Sequence, residues 1–464
     1  MNKYLAFFSF ALLASCSVGP DYRQPQFFGN DEIAKSLGLN GQNSRQITKD
    51  WYRRFNDEAL NVLIDNALEN SPDVQIAVQK LRQARAILKI NAVSYLPNLN
   101  ADGGYHYSKS SKNIGAAINT DYYQVGLDAS WEIDIWGAGR RQTEEYQALY
   151  RAAGANLDNV RISLAAETAN NYINLRMAQE QLEIANKNLR LQQNIFETVK
   201  EKHAAGLADD IALNQSQYAV ENTKTIIPAL EYNVQAYKNA IAVLTGRLPG
   251  ELDGQLDVGG DNLVSRMFEF DLDNLYALPV ENIRRRPDVR IAENNLIAQN
   301  AAVGQAVAAL YPNVSISGFW GYQSQKGGNL ISPDSNAYSY LPSVTLPIFH
   351  WGALVNNVEL RKGITEEYVY IYKNSVLNAV NELKNAMTSI DKEYAKNASY
   401  RKSKENMGEV LKLTLFKYKE GLIEFSDVLT AEQSYLNSQI SLIDSNGNIY
   451  QNIIAFYKAA GGGY

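Results

Sequence analysis

The sequence predicts a mixed α and β membrane protein. Four transmembrane β-strands per chain would join strands of sister chains in a trimeric twelve-stranded barrel, with long helical hairpins attached to the strands and two internal repeats in each chain. Three observations carry this. Four segments alternate apolar and polar residues, the clearest being Y-Q-V-G-L-D-A-S-W-E-I-D-I at residues 123–135. Proline-free stretches of helical character, about 65 residues each, follow the strand pairs. The chain also repeats itself at a constant offset of 215 residues.

Composition excludes several classes. The 464 residues are 45% hydrophobic and carry a formal charge of -6, with Lys and Arg dispersed, so there is no basic footprint for nucleic acid. No apolar run of about 18 residues follows the N-terminus, so any membrane crossing is left to strands. The N-terminus reads as an address. Lys3 precedes an apolar run from Tyr4 to Ala14, and L-A-S-C ends on Cys16, the single cysteine. Residues 1–15 are expected to be a signal peptide and Cys16 the lipid-carrying mature start, the alternative being an ordinary signal peptide with a stray cysteine. Ser17, in place of an inner-membrane retention aspartate, points to the outer membrane.

The repeat orders the rest. N-S-P-D-V-Q-I-A at 70–77 matches R-R-P-D-V-R-I-A at 285–292, and Y-L-P-N-L at 95–99 matches L-Y-P-N-V at 310–314 (287 − 72 = 312 − 97 = 215). The same offset pairs Trp136-Gly137 with Trp351-Gly352, Gly206-Leu207 with Gly421-Leu422, and Gly246 with Gly461. The expected organisation is an N-terminal segment over 16–71, a first repeat over 72–246, a connector over 247–286 and a second repeat over 287–464.

Within each repeat the elements follow in order. Residues 72–94 have helical spacing behind Pro72 and stop at Pro97. Strands are expected at about 99–108 and 122–135, and again at about 314–323 and 338–349; because 215 is odd, apolar odd positions in the first repeat become even ones in the second. Helical hairpins follow over about 138–245 and 353–460. Leu175, Ala178, Leu182, Ala185, Leu189, Gln192, Phe196 and Val199 step by three and four along a heptad seam. The glycines at 206 and 421 reverse the chain.

A strand of about ten residues with one apolar and one polar face spans an outer membrane only as part of a closed barrel. Asp128 falls on the polar side, as it must. Four strands leave open edges, and three copies close a tube with room for water where two would nearly fill it. The competing expectation is a soluble one-sided sheet packed on helices.

At this level the chain resembles the TolC-like outer membrane factors, the channel components of tripartite efflux and export systems, in their lipoprotein branch. The resemblance rests on C-S-V-G-P-D-Y-R-Q-P at 16–25, W-E-I-D-I-W-G at 131–137, R-R-P-D-V at 285–289, L-P-I-F-H-W-G at 346–352 and the C-terminal Y-K-A-A-G-G-G-Y. It implies a homotrimer whose twelve-stranded barrel continues as an α-helical barrel into the periplasm, docked to a periplasmic adaptor protein and an inner-membrane RND-type transporter, with 22–71 and 247–286 forming a belt. It also implies a gate at the periplasmic tip. Asp427 matches one acidic gate position there and Thr430 stands at the other, with Gly206, Leu207, Gly421 and Leu422 at the tip turns. The plainer role for this stretch is Ser426 capping the last helix, with Asp427 favouring its positive end. Asp102, Asp128, Glu132 and Asp134 have lumen parity. The alternatives are a type I secretion component and a coiled-coil spacer without a pore.

No enzyme chemistry is visible. His106, His203 and His350 lie far apart, the one cysteine is assigned to lipid, and no metal-ligand spacing or cofactor motif appears; G-A-G at 137–139 lacks the third glycine of a nucleotide loop. No cofactor is expected beyond the covalent lipid on Cys16, and five methionines argue against a dedicated soft-metal path.

Overall fold

The computed structural model describes residues 17–38, 48–114, 119–257, 264, 272–276 and 279–463; the expected signal peptide and Cys16 lie outside them. The main elements in chain order are α1 (Asn30–Leu37), α2 (Glu58–Asn70), α3 (Pro72–Ala92), β1 (Asn98–Lys109), β2 (Asn119–Glu132), α4 (Ala138–Ala204), α5 (Asp210–Leu244), α6 (Pro287–Ala308), β3 (Asn313–Ser324), β4 (Asn336–Thr345), α7 (Ala353–Lys419) and α8 (Phe425–Ala459). The 215-residue offset carries the start and end of α4 onto those of α7, and of α5 onto those of α8; the helices are 67 and 35 residues long in both repeats.

The chain divides into two compact units. The first holds the N-terminal segment to Gln26, Lys80–Gly154 and Ile291–Lys373. Its centre is one antiparallel sheet in the order β1-β2-β3-β4. Register shows that both repeats put their apolar positions on a single face: Leu127 pairs with Ala101 and Trp320, and Trp320 in turn with Tyr338. That face is exposed. Tyr338 is 77% and Val344 69% accessible, and along β2 the apolar positions Tyr123, Val125 and Leu127 are more exposed than the neighbouring polar Gln124 and Asp128. A soluble sheet packed on its own helices would show the reverse, so that expectation is set aside. No described helix is long and apolar enough to cross a membrane.

The strand limits differ from the expected ones. β2 starts earlier, because the polar residues Asn119 and Asp121 still pair with Lys109 and Tyr107. It also stops at Glu132: the Ile135 N–H turns back to the Ile133 carbonyl at 2.8 Å, and the chain leaves the ladder despite unbroken alternation. β4 likewise ends at Thr345, ahead of Pro347.

A strap from Ser17 to Asp21 lies on the same unit. The Val18 N–H donates to the Trp136 carbonyl, and the buried Arg141 guanidinium holds Asp21 and Glu144, both at 2.7 Å. Gly19 has φ +88°, and a Cβ there would come within 2.4 Å of the Gly304 Cα, so two glycines permit this approach.

The second unit, Phe27–Gln79, Ala155–Arg290 and Asn374–Tyr464, has its own core. Trp51 stacks on Tyr457 at 5.1 Å, and Phe55, Leu60, Ile64, Ile173 and Tyr450 are buried. The R-R-P-D-V motif has a structural job here. Arg286, buried at the start of α6, donates to the Ala459 carbonyl at 2.7 Å and pairs with Glu382 and Asp288, fastening the end of α8. On the heptad seam Ala178, Ala185, Gln192 and Val199 are buried, whereas Leu182, Leu189 and Phe196 are only half-buried.

Candidate functional site

Two regions hold the residues singled out in the sequence. The first is the polar face of the sheet. Asp102 pairs in register with Gly126, and Asp128 lies between Asn100 and Phe319, so these carboxylates and Glu132 share the face opposite the apolar one. His106 stacks on Tyr122 on that face at 4.9 Å, and Gln323 donates to Gln124 at 2.7 Å. Asp134 departs from the expected lining role. It stands beyond β2, where its carboxylate accepts from the Gly139 and Arg140 N–H groups at 3.1 and 3.0 Å and lies 3.5 Å from the Arg140 Nε. It therefore caps the positive end of α4, a position parity alone could not reveal.

The second region is the pair of hairpin tips, which pack together within the second unit. Gly206 (φ +72°) and Gly421 (φ +71°) are left-handed, and the next residue closes each turn: Leu207 N–H to the Lys202 carbonyl at 2.8 Å, Leu422 N–H to the Lys417 carbonyl at 3.0 Å. This is the glycine stop that α-helices need when the chain turns sharply. Leu207 and Leu422 are exposed. Behind them Ile195, Val199, Tyr418, Phe425 and Val428 form a small core. Lys202 ties the two tips, donating to the Tyr418 carbonyl at 2.9 Å with its ammonium 4.5 Å from the Tyr418 ring centre. His203 reaches Asp210 at 2.8 Å, and His350 is exposed after β4.

The last helix starts at Phe425, one residue ahead of Ser426. Its N-cap is Glu424, so Ser426 does not cap it. The offset foretells this, because Glu424 is the counterpart of Asp209, the N-cap of α5, which accepts from the Ala212 N–H at 2.8 Å. Asp427 sits exposed in the first turn of α8, where its charge suits the helix dipole, and the exposed Thr430 turns its hydroxyl back to the Ser426 carbonyl at 2.9 Å.

Sequence reasoning missed Glu432. It is 3% exposed, five residues beyond Asp427, with Gln192 of α4 as its polar neighbour. Burial pushes its carboxyl up from 4.5 to about 7, against a smaller lowering by Gln192. Oε1 of Glu432 and Oε1 of Gln192 both lack a hydrogen-bond partner. The polar Gln192 at a heptad position was the one signal that something polar faces it.

An amphipathic sheet with a bare apolar face, joined to paired long hairpins at a fixed repeat, defines a membrane channel component. The family described as outer membrane efflux protein matches residues 63–247 and 278–462, and the chain belongs to that family. The two matched segments are themselves related by the offset of 215. The chain is 28% identical over 470 residues to the cation efflux system protein CusC of Escherichia coli, covering 100% of this chain and 99% of that one. Among solved structures it is similar to the outer-membrane channel OprN (29% identity, TM-score 0.89, 96% of this chain and 99% of that one). It is also similar to the CmeC outer membrane channel of Campylobacter jejuni (26% identity, TM-score 0.86, 97% and 95% covered).

Proposed function

We propose that this chain is the outer-membrane exit duct of a tripartite efflux pump. Three copies close their four-stranded sheets into one barrel, anchored by lipid on Cys16, and conduct substrates passively from an adaptor protein and an RND-type inner-membrane transporter. The observation that carries this is the sheet itself: its apolar face is exposed and its two outer edges, on β1 and β4, have no strand beside them among the described residues. In lipid such edges are tolerated only when another strand pairs with them. The chain does no chemistry in this role; Asp102, Asp128 and Glu132 give the lumen a negative lining, and at the tip three copies of Asp427 make an anionic constriction that opens when the hairpins part.

Purified protein in planar bilayers tests both levels. The duct predicts steady ionic conductance with cation preference, and Asp427→Ala should raise conductance and reduce that preference. A silent protein would remove the duct, whereas a conducting protein with identical wild-type and variant traces would remove Asp427 from the gate.

A further inference from the structure

Glu432 neither lines nor anchors a duct, yet it occupies the layer directly behind the tip core. On α4 the core residues Ile195 and Val199 stand three and seven positions after Gln192, and on α8 Val428 and Phe425 stand four and seven positions before Glu432. Gln192 and Glu432 therefore continue the same two helix faces, one turn back from the tips. We propose that Glu432 is a proton-operated latch between α4 and α8, closing the seam behind the tip core when it carries a proton and admitting water, so that the hairpins part, when it does not. The latch stands on the packing of the tips; that it governs flow rests on the duct proposed above.

Three observations support it. The first is a missing hydrogen. Glu432 and Gln192 are both buried, and the Oε1 atom of each lacks a hydrogen-bond partner. Asn188, four residues back on α4, has a spare buried donor in its Nδ2 but bonds to neither oxygen. Acceptors left without a donor in a dry seam are costly, and a proton on the carboxyl supplies the donor this pair lacks, the Gln192 amide being able to turn either of its atoms toward it. Ionised, the carboxylate keeps one bond from Gln192 and a charge with nothing to balance it.

The second observation is that no counter-charge reaches Glu432 among the described residues. On the helices that make the tip core, charged side chains pair along their own exposed faces: Glu183 with Lys187 and Glu197 with Lys200 on α4, Glu221 with Lys224 on α5, and Glu409 with Lys412 on α7. Lys202 is held at the Tyr418 carbonyl, Asp209 caps α5, and Asp427 is exposed on α8. Tyr435, three residues on, packs on Gly408 of α7, and burial pushes the Tyr418 hydroxyl further up, so that it stays neutral throughout. Two influences remain: burial, which raises the Glu432 carboxyl to about 7, and the smaller opposing bond from Gln192. The closed seam thus binds the proton more tightly than a hydrated one, and the latch is complete below the ordinary 4.5 and lost as pH rises through about 7.

The third comes from the repeat. The counterparts of Ile195 and Phe425 are Val410 and Asp210, both exposed, so this apolar seam is not reproduced at the counterpart positions. The counterpart of Glu432 is Gln217, which has the same shape without the ionisable group, and it too is exposed. The acid therefore stands in the dry version of the position and the neutral amide in the wet one, the reverse of what solvation favours. A position serving packing alone would carry the two the other way round.

Hydrogen exchange reads the latch without any current through the protein. Full-length lipidated protein in detergent is exchanged at pH 6 and pH 8, and the rates of peptides covering 188–199 and 425–435 are corrected for the intrinsic rate at each pH. Wild type should lose about tenfold in protection there between the two, while the core around Trp51 and Tyr457 keeps its own. Glu432→Gln should be equally protected at both. His203→Gln is the control, because histidine changes charge in the same range and His203 reaches Asp210 at the first tip; it should keep the wild-type fall. No fall in wild type, or the same fall in Glu432→Gln, overturns the latch. Conductance in planar bilayers then reads flow: it should rise between pH 6 and 8 in wild type and stay flat in Glu432→Gln. A current with the same pH dependence in both overturns control of flow by Glu432. Silence at every pH, with exchange as expected, removes the duct and leaves the latch standing.

Discussion

The two repeats share lengths, turns and offset, yet their ends sit in opposite surroundings. Trp136 is hydrogen-bonded and stacked on Tyr311, whereas Trp351 is exposed and meets the Phe349 ring at 4.7 Å; among the described residues the first-repeat strand β2 has neighbours on both sides and β4 has one. The backbone differs as well: Trp351 is left-handed at φ +52°, and Trp136 is not. In the proposed assembly the contact surface falls at the second repeat's exit and the first repeat's entry. A comparable asymmetry holds at the start of the two repeats' helices. Arg286, buried and paired before Pro287, stands where the first repeat has the small buried Ser71 before Pro72.

That last contrast predicts the largest effect. Arg286→Ala strips Glu382, Asp288 and the Ala459 carbonyl of a shared donor and should cost about 3 kcal/mol, measured as a shift of the helical unfolding transition. Ser71→Ala should cost well under half of that; equal losses would break the contrast.

Next comes Glu432, whose first-repeat counterpart is Gln217. The folded protein holds the Glu432 proton more tightly than an unfolded chain does. Its stabilising contribution is therefore complete below about pH 4 and is lost as pH rises through about 7. Glu432→Gln should flatten that fall and leave the protein more stable than wild type at pH 8, on the order of 2 kcal/mol. Unfolding curves at pH 5 and 8 that are parallel for both proteins would contradict the burial.

A smaller effect separates the tryptophans. Trp136→Phe should lower stability by about 1 kcal/mol whether subunits are associated or apart, because its partner Pro312 is in the same chain. Trp351→Phe should act only on the assembled form, read as easier dissociation in detergent. An effect of similar size should be common to both repeats. Gly206→Ala and Gly421→Ala each impose a side chain on a left-handed residue with open space around it, and each should cost about 1 kcal/mol by thermal unfolding.

Much of this was legible because the signals are periodic. Alternation located all four strands, and the odd offset kept Leu127 and Trp320 on one face, as the register shows. Glycine turns at 206 and 421 were visible because only glycine takes that conformation cheaply. What was hidden is aperiodic. Asp121 lies just outside the expected strand yet pairs in the ladder, and Asp134 keeps strand parity yet turns to a helix end. The start of α8 was misplaced onto Ser426 by residue type alone, although the offset from Asp209 indicated Glu424. Arg286 and Glu432 could not be read as buried, since a charged residue in a helical pattern is ordinarily assigned to the wet face.

The most direct test of the central claim, that sister chains supply the missing strands, is the mass of the lipidated protein extracted in mild detergent, by native mass spectrometry. The account predicts a species of three chains that survives dilution. A single chain, stable and with its strands still protected from hydrogen exchange, would contradict it.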